Sequence, residues 1–183
     1  CQDCKKKLLE LADDAIVCFL TTHRKLNNIG VANLPEVFKK SFGCFVTVEV
    51  NGNLRGCIGK IESDQPLYQD IIDNATEAAF YDWRFDPITK EDLAGLKIEI
   101  SLLSPPKKHK QKNNNELLKI LNKEKPGVVL QKGINRATFL PQVWEKVFDA
   151  EQFLTELSLK AGLNTDGWKS SEIYTYKVII ITD

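Results

Sequence analysis

Histidine and arginine are scarce in this chain of 183 residues. The only histidines are His23 and His109, and neither is close in sequence to Cys57. Histidine is the commonest general base and metal ligand, and the chain shows no constellation of spaced histidines, cysteines and carboxylates. We therefore expect neither a resident metal nor a cofactor.

Net charge and long apolar runs are also missing. The 25 basic and 25 acidic residues give a formal net charge of zero, so attraction to nucleic acid or to an anionic membrane is not expected. The basic run at 107–112 has no interleaved aromatic residues and reads as a solvated loop. No stretch approaches the roughly 18 apolar residues of a membrane span, and no charged-then-apolar leader precedes the first helix.

The five cysteines are an odd number, and a chain of this length needs no disulfide framework. We expect reduced thiols and a cytoplasmic location. The first four residues, CQDC, have the spacing of a metal or redox pair. Without a second pair or nearby histidines this spacing is a weak signal, so no metal site is predicted there.

The periodicity of the chain predicts helices and strands in irregular order. Apolar residues recur at helical spacing over 4–20 and 65–80, whereas 45–50, 96–103 and 172–181 are strand-like, the last as one long strand. Because the order lacks regular βαβ alternation, we predict an α+β fold with a mainly antiparallel sheet flanked by helices. Residues 1–183 then form one domain, with a proline-rich and basic linker at 104–115.

A hairpin is predicted at Asn51-Gly52, the strongest two-residue signal for such a turn. Counting outward from the turn pairs Val50 with Asn53, Val48 with Arg55, and Val46 with Cys57. This register puts Arg55 and Cys57 on one face of the sheet. Cys44 would share that face in a diagonal position, too far from Cys57 for a disulfide, so both thiols should be free.

Several sequence blocks occur in a recognisable order. They are LRGCIG at 54–59, EAAFYDWRFDPIT at 77–89, IEISLLSP at 98–105, GVVLQKGINRATFLPQVWEK at 127–146 and FLTELSLKAGL at 153–163. In this order the blocks resemble the AMME-chromosomal-region (AMMECR-type) protein family, called AmmeMemoRadiSam system protein A in prokaryotes. The chain differs at Trp83, where prokaryotic relatives more often carry proline.

The resemblance implies an α+β fold of two lobes and names possible companions without supplying a reaction. The larger lobe would be built around the hairpin at 45–58 and residues 66–103, and the smaller lobe would take 116–183. The companions that the resemblance implies are a Memo-type protein and a radical-SAM protein.

Cys57 and Arg55 suggest two kinds of site. A nucleophilic cysteine needs a nearby cation or helix N-terminus, partial exposure and usually a base. Arg55 could supply the charge, and Glu99 or Asp82 could supply the base. An unpaired cysteine is, however, also among the most buried residue types, so we favour a structural Cys57, buried or lining a pocket, over a nucleophile.

The glycines and the charged loop also have two interpretations. Gly56 and Gly59 either admit a ligand close to the backbone or admit the following helix. Arg84 either pairs with a neighbouring acid such as Asp82, which would fix the loop, or joins Arg55 around an anion-binding cleft.

Two hypotheses for function follow from these residues. In the first, the chain is a binding or adaptor module whose LRGCIG cleft holds a small anionic ligand or a partner segment. In the second, it is an enzyme with Cys57 as its nucleophile. The shortage of histidine favours the first.

Overall fold

The hairpin turn lies where the sequence predicts it. The computed structural model describes residues 2–27, 29–109 and 113–182. Asn51 and Gly52 have φ angles of 52° and 77°, the left-handed pair that a tight two-residue turn requires. Strand β1 (Gly43–Val50) and strand β2 (Asn53–Lys60) run antiparallel on either side of this turn.

Helices and strands are mixed along the chain, and the predicted α+β fold is confirmed. The described residues form four α-helices: α1 (Gln2–Thr22), α2 (Leu67–Phe80), α3 (Asn114–Glu124) and α4 (Ala150–Lys160). Beyond β1 and β2 the strands are β3 (Leu96–Leu103), β4 (Lys107–Lys108), β5 (Gly127–Lys132), β6 (Asn135–Phe139), β7 (Glu172–Tyr176) and β8 (Val178–Thr182).

The chain divides into two compact units, and the first comprises the residues up to Leu103 together with those from Ile179 onward. Its sheet has the strand order β2-β1-β3-β8, so β2 is an edge strand. Helix α2 packs against β1 and β2, and α1 packs against α2 and β3. The stripe of apolar residues predicted for α2 is buried in this core: Leu67, Ile71, Ala75, Ala78 and Ala79.

The second unit spans Ser104–Val178 and contains its own sheet in the order β4-β7-β5-β6. Helices α3 and α4 contribute its apolar core, in which Trp144 stacks on Phe153 with ring centroids 4.0 Å apart. Asp149 caps α4 by accepting a hydrogen bond from the Gln152 amide at 2.9 Å. Helix α4 therefore begins directly after a residue whose side chain caps a free main-chain amide.

Two segments differ from the sequence-based expectation. The last stretch was predicted as one long strand, but it is interrupted at Lys177, so β7 belongs to the second sheet and β8 to the first. A run of β-branched and aromatic residues does not reveal where the chain changes sheets. Within the predicted linker, Lys107 and Lys108 form β4 and pair with β7, whereas Lys110 and Lys112 of the basic run lie outside the described residues.

None of the helices formed by the described residues combines the length and apolar character needed to cross a bilayer. The longest helix, α1, has 21 residues but carries charged side chains on its exposed face.

Candidate functional site

The register of the hairpin changes two residues beyond the turn. Val50 pairs with Asn53 as predicted, but a bulge between Val48 and Glu49 shifts the ladder, so Val48 pairs with Gly56. Arg55 is the extra residue at the bulge. The predicted pair of Val48 with Arg55 is therefore wrong, because a count from the turn assumes a regular ladder.

The shift also changes the surroundings of Cys57. Its partner is Thr47 instead of the predicted Val46, and the Thr47 hydroxyl donates to the Cys57 sulfur at 3.3 Å. Cys44 pairs with Lys60, three residues from Thr47 along a regular strand, and so lies on the opposite face of the sheet. The prediction that Cys44 and Cys57 share a face is wrong, whereas the prediction that both are free thiols is confirmed.

Cys44 and Cys57 differ in exposure. Burial raises the pKa of the Cys44 thiol to about 12, and the negative charge of Asp70 adds to the effect. Cys57 is only partly buried. Of these two thiols, Cys57 is therefore the one that reagents can reach.

The outer edge of β2 at Cys57 is covered by residues 81–86, which we call the edge loop. The Cys57 amide donates to the Asp82 carboxylate at 3.0 Å, and the Arg84 guanidinium donates to the Cys57 carbonyl at 3.2 Å. An acceptor and a donor thus take the positions that a neighbouring strand would occupy. Covering an edge in this way prevents unwanted strand pairing.

Asp82 and Arg84 form a two-point ion pair within the edge loop. The guanidinium Nε lies 2.8 Å from Oδ1, and Nη2 lies 2.6 Å from Oδ2. These bonds, and to a lesser degree the Cys57 amide, hold the pKa of the Asp82 carboxyl well below its usual range although burial opposes the effect. The hydrogen bond to Asp82 raises the pKa of Arg84. Asp82 is therefore ionised and hydrogen-bonded on both oxygens, and a carboxylate with so low a pKa accepts a proton poorly at neutral pH.

Arg55 contacts the far end of the same loop. Its guanidinium donates to the Asp86 carbonyl at 3.3 Å and lies 3.6 Å from the Asp92 carboxylate. Asp92 in turn accepts hydrogen bonds from the amide and the hydroxyl of Thr89, both at 2.9 Å, an arrangement similar to a capping box. Arg55 and Arg84 thus both join the LRGCIG strand to the segment that follows α2.

Close packing accounts for the two glycines of the LRGCIG strand. A Cβ at Gly56 would lie 1.9 Å from the carbonyl oxygen of Ala78 in α2. A Cβ at Gly59 would lie 2.2 Å from the carbonyl oxygen of Cys44 and 2.5 Å from the Cα of Phe45. Both contacts are with backbone, so the absence of a side chain is needed for the strand to pack at all.

Glu99 lies on the same face of the sheet as Cys57 but one strand further away. Thr47 pairs with Cys57 on one side and with Glu99 on the other. Two strand spacings separate the Cys57 and Glu99 backbones by about 10 Å. Glu99 also lines a cavity of about 250 Å³ together with Glu49, Lys97, Ile98 and Thr182. Cys57, Thr47 and Glu99 therefore lie in a row across three strands, with Thr47 between the other two. Cys57 and Glu99 are not in direct contact as a nucleophile and its base would be.

The edge loop carries exposed aromatic side chains that the sequence analysis did not single out as a site. Trp83 is 91% exposed and Tyr81 is 62% exposed. Tyr81 contacts Phe19 edge to face at 5.7 Å, and the Arg84 guanidinium lies 5.3 Å from the ring centre of Phe85. The sequence did contain a signal for this surface, since Trp83 lies between Asp82 and Arg84, the two residues that hold the loop.

No group of three histidine, cysteine or carboxylate side chains with metal-binding geometry occurs in residues 2–27, 29–109 and 113–182. The predicted pair in CQDC cannot be described as a whole, because Cys1 lies outside the described residues. Cys4 is a free thiol.

Comparison with known proteins agrees with the sequence blocks. The sequence model of the AMMECR1 family matches residues 9–181. A protein of Methanothermobacter thermautotrophicus is 38% identical over 146 residues, which cover 79% of this chain and 76% of the relative. A Saccharolobus islandicus protein is 36% identical over 174 residues, 91% of this chain and 74% of that protein. The crystal structure of an uncharacterized protein from Pyrococcus horikoshii superposes with a TM-score of 0.83 at 30% identity, covering 97% of this chain and 90% of that one.

Proposed function

The chain belongs to the AMMECR1 family, and from this premise we propose that it is a binding or adaptor module that presents its LRGCIG strand and edge loop to a partner protein. Loops positioned by a rigid scaffold carry much of the binding in proteins. Here the scaffold is the sheet of the first unit, and the ion pair of Asp82 with Arg84 fixes the loop on its edge.

The observation that carries this proposal is the exposure of Trp83 on a loop that is held in place. Tryptophan, tyrosine and arginine are the residues most enriched at the energetic centres of interfaces. The edge loop offers Tyr81, Trp83 and Arg84 within four consecutive residues, all exposed. Because neighbouring hydrogen bonds hold the loop, little conformational entropy would be lost on binding.

A partner segment has more support than a small anionic ligand. The Arg84 guanidinium already faces the Asp82 carboxylate, and the Arg55 guanidinium faces Asp92. An incoming anion would have to compete with both carboxylates. A protein segment could instead use the aromatic surface and leave these ion pairs intact.

The family resemblance suggests which proteins to test first. A Memo-type protein and a radical-SAM protein are the proposed companions, and the proposed location is the cytoplasm. The free thiols at Cys4, Cys18, Cys44 and Cys57 support a reducing compartment.

Direct binding of purified partners tests the proposal. Isothermal titration with the Memo-type and radical-SAM proteins should detect a complex with at least one of them, and Trp83→Ala should weaken it by about tenfold or more. Phe148→Ala is the matched control, because Phe148 is an aromatic residue that is 98% exposed in the second unit. No complex with either protein, or equal losses in the two variants, would contradict the proposal.

A cysteine-dependent enzyme is the second candidate, favoured by the contact of the Thr47 hydroxyl with the partly exposed Cys57 sulfur at 3.3 Å. A donor directed at the sulfur would stabilise a thiolate, and Arg84 holds the carbonyl of the same residue. Arg55, the cation first considered for this role, contacts Asp86 and Asp92.

Alkylation of the folded protein by iodoacetamide tests the enzyme hypothesis. The rate is measured as a function of pH, and mass spectrometry assigns it to individual cysteines. A reactive Cys57 should be modified well below the ordinary thiol pKa of about 8.5 and should slow in Thr47→Val. Cys44 is the internal reference, since its buried thiol should react only on unfolding. Equal rates at the two residues would exclude the enzyme.

A further inference from the structure

The second unit contains a large cavity that the LRGCIG strand does not line. Its volume is about 780 Å³, within the range typical of small-molecule sites. Every lining residue belongs to the segment Ser104–Val178. The walls are formed by Ser104, Lys107, Glu124, Lys125, Pro126, Pro141, Thr175, Tyr176, Lys177 and Val178.

Positive charge dominates this cavity. Lys107, Lys125 and Lys177 line it with a single acid, Glu124, which leaves a net charge of +2 from three cations and one anion. In the part of the chain that the structure describes, none of these three ammonium groups forms an ion pair with a carboxylate. The adjacent Lys108, by contrast, pairs with a glutamate on β7. All three lysines are exposed at the cavity, and a bound anion would be attracted by the positive potential that they create there.

Lys125 occupies a backbone position that lysine rarely adopts. It ends α3 with φ 46° and ψ 49°, the left-handed region in which helices usually place glycine or asparagine. Non-glycine residues in this region carry some strain and are found more often at functional sites. A cation near the C-terminus of a helix also favours the helix dipole, which is a structural alternative that the experiment below separates from binding.

The walls of the cavity are held by hydrogen bonds. The Ser104 amide donates to the Lys177 carbonyl at 2.9 Å, and the Lys177 amide donates to the Ser104 hydroxyl at 3.0 Å. The indole of Trp144 donates to the Pro126 carbonyl at 2.7 Å, and the Tyr176 hydroxyl donates to a main-chain carbonyl of β6 at 3.1 Å. The cavity is therefore formed before any ligand arrives, which reduces the ordering that binding requires.

We propose that this cavity binds an organic phosphate monoester. At pH 7 a phosphate monoester carries a charge of about −1.5 to −2, which matches the net +2 of the lining. Lysine binds phosphate as a point charge on a flexible side chain, so the lining lysines do not need the planar geometry that arginine uses. Pro126, Pro141 and Val178 offer apolar walls for the carbon skeleton.

Titration of the whole chain with adenosine 5′-monophosphate, ribose 5-phosphate and adenosine tests the ligand class. We expect saturable binding of the two phosphate esters, weakened by added salt, and no binding of adenosine. Tighter binding of adenosine 5′-monophosphate would identify a nucleotide site, and equal affinities a site for sugar phosphates in general. No binding of either ester at millimolar concentration, or equal binding of adenosine, would overturn the proposal.

Lys125→Gly separates binding from structure. Glycine suits the left-handed position, so the melting temperature should be unchanged or higher, while affinity for adenosine 5′-monophosphate should fall about tenfold. Lys123→Gln is the matched control, since Lys123 is exposed on the same helix and does not line the cavity. Wild-type affinity in Lys125→Gly, or an equal loss in the control, would show that the cavity lysines are only solvated surface charges.

Discussion

Replacing Asp82 by alanine removes the carboxylate that joins the edge loop to strand β2. Asp82 is only 4% exposed. Its carboxylate accepts hydrogen bonds from the Cys57 amide at 3.0 Å and from the Arg84 guanidinium at 2.6 and 2.8 Å. In the variant the Cys57 amide has no strand beyond it to accept its hydrogen, because β2 is an edge strand. The loop then keeps the Arg84 contact to the Cys57 carbonyl and the Arg55 contact to the Asp86 carbonyl.

The size of the loss follows from these contacts. A hydrogen bond between an amide and a charged group contributes about 1.5–3 kcal/mol to the free energy of unfolding. The Arg84 side chain is 45% exposed, so water would replace much of its interaction, and its share is about 0–1 kcal/mol. We therefore expect Asp82→Ala to lower the free energy of unfolding by about 1.5–4 kcal/mol.

Urea unfolding followed by circular dichroism measures this difference. Asp86→Ala is the matched control, since Asp86 is an exposed acid of the same loop whose main-chain carbonyl, not its side chain, contacts Arg55. The control should change stability by less than about 0.5 kcal/mol. A loss below about 1 kcal/mol in Asp82→Ala, or an equal loss in the control, would refute the role assigned to Asp82.

Two further predictions concern the same strand and loop. The pKa of Asp82 is depressed in the folded state, so its contribution to stability is complete above the unfolded pKa of about 4 and is lost as the pH falls below that value. In urea melts, the free energy of unfolding of Asp82→Asn should therefore fall less steeply with decreasing pH than that of the wild type. Gly56→Ala should destabilise by about 2–3 kcal/mol in urea melts, because its Cβ would meet the backbone of α2 at 1.9 Å. Gly52→Ala, with nothing within 4 Å but a φ of 77°, should cost only about 1 kcal/mol, and the reverse order of the two losses would disprove the packing argument.

The sequence predicted the hairpin because its cause is local. Asn51 and Gly52 adopt left-handed conformations with little strain, and that preference is written in two adjacent residues. The bulge at Arg55 has no comparable signal. It depends on how β2 meets both its partner strand and α2, so a count of residues from the turn placed Cys57 opposite Val46 when its partner is Thr47.

Four of the residues chosen from the sequence lie together in the structure. Sequence analysis singled out Arg55, Cys57, Asp82 and Arg84, and all four lie where the LRGCIG strand meets the edge loop. Which acid pairs with Arg84 could not be derived, since Asp82 and Asp86 are equally distant in sequence from it. The pairing was decided by the Cys57 amide, a tertiary contact across 25 residues.

The division into two units was harder to predict than either sheet. The segment 172–182 reads as continuous strand, yet Lys177 separates a strand of the second sheet from a strand of the first. Such an exchange requires both sheets to exist already, so no local preference encodes it. Sequence analysis interpreted Lys107 as part of a solvated loop and did not single out Lys125 and Lys177, because only the fold brings the three to one cavity.

Hydrogen exchange at the Cys57 amide tests most directly whether the edge loop takes the place of a neighbouring strand. With Asp82 accepting its hydrogen, this edge-strand amide should exchange as slowly as amides of the central strand β1, and it should exchange rapidly in Asp82→Ala. Rapid exchange of the Cys57 amide in the unaltered protein would mean that the loop does not cover the edge, and the surface proposed for partner binding would lose its support.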